Sequence, residues 1–405
     1  MKPRLLITSF CMEIGGIERS LVELLRALDT GRMDVDLLLC SHTGPLLREI
    51  PAGIRLLPED PRLASLLQPI RQVLPRHPLW AGARLLAKAQ VPRRFPIPPH
   101  SSDGVAYATL QQYWRRSAPL LPAVKGEYDA VISFQWPHHL AAGRVNAGQK
   151  LAWVHTDFRM AALDVAEDLA VWERFEGIAC VSQGVLEGFC EVHPALRERC
   201  FVFENLLDPA ALRTRAAAFV PEDMPRPAGG FRLLTVGRYC YAKAFDQAIR
   251  TAKALAVLGL RFCWYAIGYG AEEQALHALA AELEVGDYFV FLGKRENPAP
   301  YIAACDLYLQ PSRYEGKAVT VMEALSLHAP VAVTDFPTAA AQVTDGYDAR
   351  ILPMEPAAAA QGIAALLADP AERSRLAANA ATGDYSGWSQ LPKLYEKLFP
   401  AQEEA

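Results

Sequence analysis

The chain has 405 residues, 51% of them hydrophobic, with a formal net charge of −4 and a pI of about 6.2. This length can hold two domains with cores of their own. The small net charge gives no overall signal for nucleic-acid binding, and no apolar run reaches the roughly 18 residues of a transmembrane helix.

Two further features bear on the cell compartment. The eight cysteines show no Cys-x-x-Cys spacing, which disfavours a zinc site and favours reduced, buried thiols in a cytosolic protein. At the start of the chain, Glu13 interrupts a short apolar run and no Ala-x-Ala-like cleavage site follows. A signal peptide is therefore not expected.

Strand-like runs alternate with helical patterns through the first half, which predicts a parallel sheet with crossover helices. The predicted strands are Arg4–Ser9, Val35–Cys40, Ile54–Pro58, Asp129–Phe134, Leu151–His155, Ile178–Ser182 and Cys200–Asn205.

The turn after the first predicted strand contains Gly15 and Gly16 and leads into a helix with one apolar face. A Gly-Gly turn at a helix N-terminus can bind phosphate or sugar. A tight βα turn without a ligand explains the same residues equally well. The pattern is neither the dinucleotide fingerprint nor a P-loop.

The segment from Arg62 to Arg116 is strongly basic, with nine basic residues against one acid, Asp103. Leucine, tryptophan and phenylalanine side chains are interleaved with those bases. Such a segment can lie on an anionic membrane face, or it can be a solvated face whose apolar side packs on its own domain. Within it, the proline-rich stretch 91–100 is predicted to be a loop.

His155 ends the predicted strand Leu151–His155. A lone histidine is more often structural, but the carboxyl end of a parallel strand is where open α/β sheets bind ligands. We therefore predict His155 as a site residue, with Asp157 as a weaker candidate in the same loop.

The strand–helix alternation stops in a Pro/Ala-rich stretch and then restarts, which predicts a second domain. The predicted boundaries are 1–207 for the first domain, 208–230 for a linker, 231–382 for the second domain and 383–405 for a terminal helix. The strands predicted in the second domain are Arg232–Gly237, Cys263–Gly268, Tyr288–Gly293, Leu307–Ser312 and Pro330–Asp335. The fold class is α/β, with two doubly wound, Rossmann-like domains facing a cleft.

Two cations, Arg238 and Lys243, lie near the start of the helix that follows the first strand of the second domain. Positive charge at a helix N-terminus opposes the helix macrodipole. The pair therefore indicates an anionic ligand more strongly than a random arginine and lysine would.

Glu315 and Glu323 are eight residues apart, in a loop after a predicted strand and in the helix Lys317–Leu327. Gly316 allows close approach of the backbone to a ligand, and the first amides of the helix can bind an anion. Carboxylates that hold hydroxyls beside amides that hold phosphate would suit a sugar nucleotide, although two exposed helix acids are usually only solvated charges.

These motifs together resemble the Glu-x7-Glu motif, the Gly-Gly-x-Glu loop and the Gly-Arg…Lys-Gly-Phe-Asp motif of retaining GT-B glycosyltransferases of group 1 (family 4). The resemblance extends from Leu5 to about Leu367 and implies a role for each matching residue. The implied catalytic residues are His155, Arg238, Lys243 and Glu315, and the implied donor-binding residues are Gly15, Gly16, Gly268, Lys294, Arg295, Gly316, Lys317, Ala318, Val319 and Glu323.

The resemblance implies a cytosolic enzyme, peripheral on the inner face of the cell membrane, that acts in surface polysaccharide synthesis. It would transfer a hexose or N-acetylhexosamine from a nucleotide-sugar, with a UDP-sugar preferred, to a lipid-linked glycan, without a metal or other cofactor. The alternatives are a non-catalytic sugar-binding or scaffold subunit and another GT-B enzyme such as an epimerase or phosphorylase. The chain departs from the family at Ala244, where glycine is usual, at Gln342, where glutamate is usual, and at Ala349-Arg350, which replaces Gly-Leu.

Overall fold

The computed structural model describes residues 2–65, 68–94, 102–161 and 163–400. The chain divides into two compact units, Met1–Asn205 together with Trp388–Ala405, and Leu206–Gly387. Each unit is built on one parallel sheet. The predicted α/β class with two doubly wound units is therefore confirmed.

The first unit has a seven-stranded sheet in the order β3-β2-β1-β4-β5-β6-β7. Its strands are β1 Arg4–Ser9, β2 Asp34–Leu39, β3 Ile54–Leu56, β4 Glu127–Ser133, β5 Asn146–Val154, β6 Gly177–Cys180 and β7 Cys200–Val202. Its helices are α1 Gly16–Ala27, α2 Pro61–Ala64, α3 Ile70–Val73, α4 Pro78–Arg94, α5 Ser102–Ser117, α6 His138–Arg144, α7 Val165–Trp172 and α8 Gln183–Val192. Its 3₁₀ turns are Pro45–Glu49, Ala118–Leu120, Phe158–Met160 and Pro194–Arg199.

The second unit has a six-stranded sheet in the order β10-β9-β8-β11-β12-β13. Its strands are β8 Phe231–Val236, β9 Phe262–Ile267, β10 Phe289–Gly293, β11 Leu307–Gln310, β12 Val331–Thr334 and β13 Arg350–Leu352. Its helices are α9 Pro209–Ala216, α10 Phe245–Val257, α11 Glu273–Glu282, α12 Ala299–Ala304, α13 Val319–Ser326, α14 Pro356–Ala368 and α15 Pro370–Ala380. Its 3₁₀ turns are Tyr241–Lys243 and Ala339–Ala341. After another 3₁₀ turn, Trp388–Gln390, the last helix α16, Leu391–Leu398, belongs to the first unit.

Both faces of the second sheet are covered, because alternate residues of its strands enter two separate core clusters. Leu233 and Leu307 belong to one cluster, and their strand neighbours Leu234 and Tyr308 belong to the other. Strands of a parallel sheet that are buried on both faces read as continuous apolar runs. This burial explains why the strand runs were visible in the sequence.

The structure differs from the predicted elements in several places. The stretch predicted as a linker, 208–230, begins with α9, whose Leu212 is buried against Ala299 and Met322 of the second unit. The predicted loop starting at Val91 is wrong for its first residues, since α4 continues to Arg94 with Pro92 in its last turn. The rest of that loop, 95–100, lies outside the described residues. Strand β13 was missed because three residues with only Leu352 fully buried give no periodic signal.

Candidate functional site

The second sheet reverses its strand order between β8 and β11, which are hydrogen-bonded neighbours. The chain runs outward from β8 through β9 to β10 on one side, and from β11 through β12 to β13 on the other. Ligands of open α/β sheets bind at the carboxyl ends of the strands at such a switch point. The loops after β8 and β11 are therefore the expected site, and they carry Lys243 and Glu315.

Lys243 and Glu315 form an ion pair at this switch point. The Lys243 ammonium donates to Oε1 and Oε2 of Glu315, each at 2.6 Å. The Glu315 side chain is 7% exposed and that of Lys243 is 23% exposed. Because the two residues come from segments 72 positions apart, only the fold brings the cation and the acid together.

Glu315 is also held by neutral donors of its own loop. Its Oε1 accepts from the Ser312 hydroxyl at 2.6 Å and from the Gln310 amide at 3.2 Å. The side-chain oxygen of Gln310 in turn accepts from the hydroxyls of Tyr308 and Thr320. Since a buried carboxylate is stable only when it is paired and hydrogen-bonded, this network satisfies the Glu315 oxygens and fixes the direction of the side chain.

The position of Lys243 depends on Arg313, which the sequence analysis did not single out. Arg313 lies over the Tyr241 ring, 4.3 Å from its centroid, and donates to the Tyr241 carbonyl. Its guanidinium also binds both carboxylate oxygens of Asp246, at 2.9 and 2.6 Å. Arg313 therefore fixes the 3₁₀ turn Tyr241–Lys243 from the loop that carries Glu315. Nothing in the sequence pairs Arg313 with Asp246, 67 positions away.

Ala244 ends that turn in the left-handed region, with φ 52° and ψ 42°. Only glycine adopts this region without a steric penalty from its Cβ atom. The glycine usual in the family at this position is thus explained by the backbone.

Helix α13 begins at Val319, two residues later than predicted, because Ala318 has an extended backbone and is the N-cap. Gln342 donates to the Ala318 carbonyl at 2.7 Å, so the residue that replaces the family glutamate supports this turn. Gly316 is buried and Lys317 is partly exposed just before the helix. These residues, predicted to bind the donor, form one continuous loop with Glu315.

Glu323 lies inside α13 with its side chain 3% exposed. Its carboxylate accepts from Arg215 of α9 at 3.1 Å. Glu323 is therefore a buried, paired acid and not one of the solvated helix acids that such a pair usually represents. The arginine partner comes from the stretch that the sequence analysis assigned to the linker.

Gly268 and Gly270 have a packing role. A Cβ atom at Gly268 would overlap the carbonyl oxygen of Gly237, and one at Gly270 would overlap the backbone of Tyr239. The loops after β8 and β9 also exchange a hydrogen bond from the Tyr239 amide to the Tyr269 carbonyl at 2.9 Å. The Gly-x-Gly pattern therefore lets the loop after β9 lie directly against the loop that carries Arg238.

The other predicted cations lie around this loop in different environments. Arg238 is exposed. Lys294 is exposed, with its ammonium 4.6 Å from the centre of the Tyr269 ring. Arg295 binds Asp223 at 2.7 Å and donates to Tyr301, and its hydrogen bond to Asp223 raises the pKa of its guanidinium. Arg295 thus has a structural role in this structure.

The first sheet reverses its strand order between β1 and β4. Three polar side chains meet there. Ser9 donates to Gln135 at 3.2 Å, and the Gln135 amide donates to Glu18 at 3.3 Å. A Cβ atom at Gly15 would overlap the Glu18 carboxylate, so the predicted Gly15-Gly16 turn lies directly beneath a carboxylate. Gln135 and Glu18 were not among the predicted site residues.

His155 follows β5, the next strand of this sheet. Its Nε2 donates to the Phe134 carbonyl at 2.8 Å, which leaves Nδ1 of the neutral ring as an acceptor. Burial lowers the pKa of the imidazole to about 4, so the ring is neutral near pH 7. Asp157, the weaker candidate, caps the turn Phe158–Met160 and is bound by Arg159, which gives it a structural role.

Comparison with known proteins shows what the second unit is similar to. Residues 220–382 match the family model of glycosyl transferases group 1. The matched residues make up most of the second unit, which is therefore similar to a group 1 glycosyl transferase domain. Arg238, Lys243, Glu315 and Glu323 all lie within the matched residues.

Two curated relatives match parts of the chain. The lipopolysaccharide core biosynthesis glycosyltransferase LpsE of Rhizobium meliloti is 25% identical over 222 residues, 54% of this chain and 62% of that protein. The lipopolysaccharide core biosynthesis mannosyltransferase LpsB of the same organism is 31% identical over 156 residues, 36% of this chain and 43% of that protein. The chain spans less than two thirds of the length of either relative.

Solved structures match nearly the whole chain. Anabaena Alr3699/HepE in complex with UDP and glucose superposes with a TM-score of 0.68 at 17% identity, covering 98% of this chain and 99% of that one. WaaG, a glycosyltransferase involved in lipopolysaccharide biosynthesis, gives a TM-score of 0.60 at 15% identity over 98% and 100%. This likeness confirms the GT-B fold predicted from the sequence, and the family predicted from the sequence agrees with the match over residues 220–382.

Proposed function

We propose that this protein is a retaining glycosyltransferase that moves a hexose or N-acetylhexosamine from a nucleotide-sugar to a hydroxyl of a lipid-linked glycan in surface polysaccharide synthesis. The observation that carries this proposal is the Lys243–Glu315 pair at the β8/β11 switch point. It sits beside the first turn of α13, whose amides can bind phosphate. The names of the relatives, which act in lipopolysaccharide core biosynthesis, agree with the polysaccharide class.

At the leaving group, Lys243 and Arg238 would neutralise the charge that develops on the diphosphate as its bond to the sugar breaks. Such stabilisation of developing charge is usually the largest single contribution to catalysis. Glu315 holds the Lys243 ammonium in a fixed place. The cation is then oriented before the donor binds, and the backbone amides near Gly316, Lys317 and Ala318 would add further donors.

Because these cations can carry the charge that a metal ion supplies in other transferases, we propose that the reaction needs no metal. The departing phosphate would accept the proton of the acceptor hydroxyl, so no general base is required from the protein. The environment of Glu315 agrees with a reaction that uses no protein nucleophile. A carboxylate that accepts from Lys243, Ser312 and Gln310 is a poor nucleophile, so it would bind sugar hydroxyls instead.

His155 would bind a hydroxyl of the transferred sugar. Its Nδ1 is the acceptor in the tautomer set by Phe134, and the neutral ring adds no charge beside the sugar. Glu323 would bind the ribose hydroxyls of the nucleotide. The donor is proposed to be a UDP-sugar, since Anabaena Alr3699/HepE has been crystallised with UDP-glucose and shares the fold.

The donor assignment is tested by thermal-shift and nucleotide-release assays with UDP-, GDP-, ADP- and dTDP-sugars, with and without EDTA. We expect one UDP-sugar to stabilise the protein and to be slowly hydrolysed, with no effect of EDTA. Loss of activity in EDTA would overturn the metal-independent mechanism. No shift with any nucleotide would instead favour a non-catalytic, sugar-binding or scaffold role.

A peripheral membrane location is a separate proposal. None of the helices among the described residues is long and apolar enough to cross a membrane. The segment that contains α3 and α4 exposes four leucines, between 51% and 69% each, and three bases: Leu74, Leu79, Leu85 and Leu86, with Arg71, Arg76 and Lys88. Apolar side chains rimmed by bases fit the surface of an anionic bilayer.

Not all bases of the segment 62–116 are available for this surface. Arg84 donates to the carbonyls of Ser65 and Gln68, Arg62 binds Asp60, and Arg115 binds Glu167. The side chains of Arg93 and Arg94 lie outside the described residues. The membrane-facing charge is therefore assigned to Arg71, Arg76 and Lys88.

Vesicle co-sedimentation tests this surface. Replacing Arg71, Arg76 and Lys88 by glutamine should weaken binding to anionic vesicles by about fivefold for each base, since a base near such a surface contributes about 1 kcal/mol. Replacing the paired Arg62 and Arg115 should change binding less. If the unmodified protein binds zwitterionic and anionic vesicles equally, or neither, the proposal is wrong.

A further inference from the structure

Arg215 lies on α9, in the stretch that the sequence analysis assigned to a linker, yet its side chain reaches a predicted donor-binding acid. The guanidinium donates to Oε1 of Glu323 at 3.1 Å, across 108 positions of the chain. The side chains of Arg215 and Glu323 are 16% and 3% exposed, so the pair is largely shielded from water. The second acid of the Glu315 and Glu323 pair therefore has a cation of its own.

The helix α9 holds Arg215 in place. Leu212, three residues earlier, belongs to one buried cluster with Met322, the residue before Glu323. Since residues i and i+3 share one face of a helix, the face that packs on Met322 also carries Arg215. The Asn297 amide donates to the Arg215 carbonyl at 2.8 Å. Arg215 is in the last turn of α9, where a helix favours positive charge.

The two carboxylate oxygens of Glu323 differ. Oε1 accepts from Arg215, whereas Oε2 accepts no hydrogen bond from any residue that the structure describes. An ion pair of the same unit shows the contrast, because Arg313 binds both oxygens of Asp246, at 2.9 and 2.6 Å. Leaving a buried acceptor without a donor is costly. Glu323 thus has one oxygen that is fixed and one oxygen that can accept from a ligand.

The place of Glu323 on α13 fits the ribose of a bound nucleotide. Glu323 lies four residues after Val319, the first residue of α13, which is about 6 Å along the helix axis. In a nucleoside diphosphate, a single methylene group and an oxygen join the ribose to the nearer phosphate. A diphosphate bound by the first amides of α13 would therefore place its ribose near Glu323.

We propose that Arg215 is the positioning residue for ribose recognition, and that the Arg215–Glu323 pair makes this site prefer ribonucleotides to deoxyribonucleotides. This inference rests on the proposed function, in which Glu323 binds the ribose. Arg215 fixes Oε1, so that Oε2 accepts from a ribose hydroxyl, and its charge offsets that of Glu323 beside the diphosphate. A site built to hydrogen-bond a hydroxyl rejects an analogue that lacks it.

A direct contact between Arg215 and the diphosphate is a poorer explanation. The guanidinium is already bound to Glu323, and α9 precedes the first strand of the second sheet. It is therefore not one of the loops after β8 and β11 that form the expected phosphate site. The two explanations differ in a measurable way, because a phosphate contact does not depend on the ribose hydroxyls.

Titration calorimetry of the full-length protein with UDP and with 2′,3′-dideoxy-UDP tests the role of Arg215. The unmodified protein should bind UDP about tenfold more tightly than the analogue, the factor for one hydrogen bond to a charged group. Arg215→Met keeps a long side chain without the charge and should lower this ratio to below about twofold. Arg213→Met, which replaces an exposed arginine of the same helix turn, is the matched control and should keep the ratio.

The outcomes separate this inference from the proposed function. If the unmodified protein binds neither UDP nor GDP, the proposed function fails and the inference fails with it. If it binds GDP instead of UDP, GDP and 2′,3′-dideoxy-GDP are compared. If it does not distinguish the nucleotide from the analogue, the ribose contact and the inference both fail. If Arg215→Met keeps the full ratio, whether or not both nucleotides bind more weakly, only the role of Arg215 is overturned.

Steady-state kinetics separates positioning from a general loss of structure. A contact made equally in the bound donor and in the transition state changes KM and leaves the turnover number nearly unchanged. Arg215→Met should therefore raise KM for the UDP-sugar about tenfold. A lower turnover number with an unchanged KM would overturn the proposal.

A second variant keeps the test decisive if Arg215→Met does not fold. Arg215→Lys retains a cation beside Glu323 but lacks the planar guanidinium. Its ratio of affinities for UDP and 2′,3′-dideoxy-UDP should lie between those of Arg215→Met and the unmodified protein. If only Arg215→Lys folds, a ratio equal to that of the unmodified protein would overturn the role of the guanidinium.

Discussion

The two sheets present different chemistry at their switch points. After β8 and β11 the groups are ionised and bound to each other, with Lys243 held by Glu315 and Arg313 held by Asp246. After β1, β4 and β5 the groups are a hydroxyl, an amide and a neutral imidazole, from Ser9, Gln135 and His155, beside the Glu18 carboxylate that Gln135 binds. One edge is suited to a charged phosphate and the other to uncharged sugar hydroxyls. Under the proposed function, the second unit would bind the nucleotide diphosphate, and the first unit would bind sugar hydroxyls.

The largest expected effect tests the charged edge. Lys243→Ala should lower turnover by about 10² or more, because the leaving diphosphate would lose a preorganised cation. Steady-state kinetics with the donor from the nucleotide screen measures this. Lys253→Ala, which replaces a partly exposed lysine on α10, is the matched control. A near-normal turnover number for Lys243→Ala would remove its catalytic role.

The fate of the Lys243 prediction shows what the sequence could and could not provide. The sequence placed Lys243 and Glu315 in loops at strand ends, because apolar runs and glycines mark those boundaries. It did not show that Lys243 binds Glu315, or that Arg313 fixes the turn of Lys243 through Asp246. These pairs join segments about 70 residues apart, and local patterns carry no information on such contacts.

The second prediction concerns the first unit, where His138 on α6 lies 2.8 Å from the Ser133 hydroxyl. Burial lowers the pKa of His138 to about 3, below its ordinary value of about 6.5. Below about pH 6.5 the unfolded chain therefore binds a proton at His138 that the folded chain does not bind. The free energy of unfolding keeps its full value above that pH as far as His138 is concerned, and it decreases as the pH falls. At about pH 5 the titration of His138 should lower the free energy of unfolding by about 2 kcal/mol.

His138→Asn keeps a polar group near Ser133 but cannot titrate. Its free energy of unfolding should fall less between about pH 7.5 and pH 5 than that of the unmodified protein. Hydrogen exchange of α6 reports this for the first unit alone. Equal pH dependence of the two proteins would show that His138 is not held neutral.

The third prediction returns to the charged edge. Glu323→Gln should weaken nucleotide binding about tenfold, since a hydrogen bond from a ribose hydroxyl to a carboxylate contributes about 1.5 kcal/mol. Glutamine is chosen because alanine would leave Arg215 facing an empty space in the protein interior. Titration calorimetry with the nucleotide measures the change in affinity. Glu282→Gln, which replaces an exposed acid on α11, is the control. Unchanged affinity would contradict the ribose assignment.

The fourth prediction sharpens the division between donor and acceptor. Gln135→Ala removes the amide that links Ser9 to Glu18. If this cluster binds acceptor hydroxyls, KM for the acceptor should rise about fivefold, the effect of one neutral hydrogen bond of about 1 kcal/mol. Donor affinity should not change. Gln183→Ala, which replaces an exposed side chain on α8, is the control and should change neither KM for the acceptor nor donor affinity. A change confined to donor affinity would contradict the assignment of this cluster to the acceptor.

The smallest effect is expected at Ala244, whose left-handed backbone strains the turn that carries Lys243. Ala244→Gly would relieve about 1 kcal/mol of this strain. Glycine would also give the unfolded chain more freedom, at a cost of about 0.4–1 kcal/mol, and would remove a buried methyl group. The terms nearly cancel, so the free energy of unfolding should change by less than about 1 kcal/mol and turnover should stay near normal. Denaturant unfolding and steady-state kinetics check both expectations. A large loss of turnover would mean that the alanine, and not the backbone conformation, sets the position of Lys243.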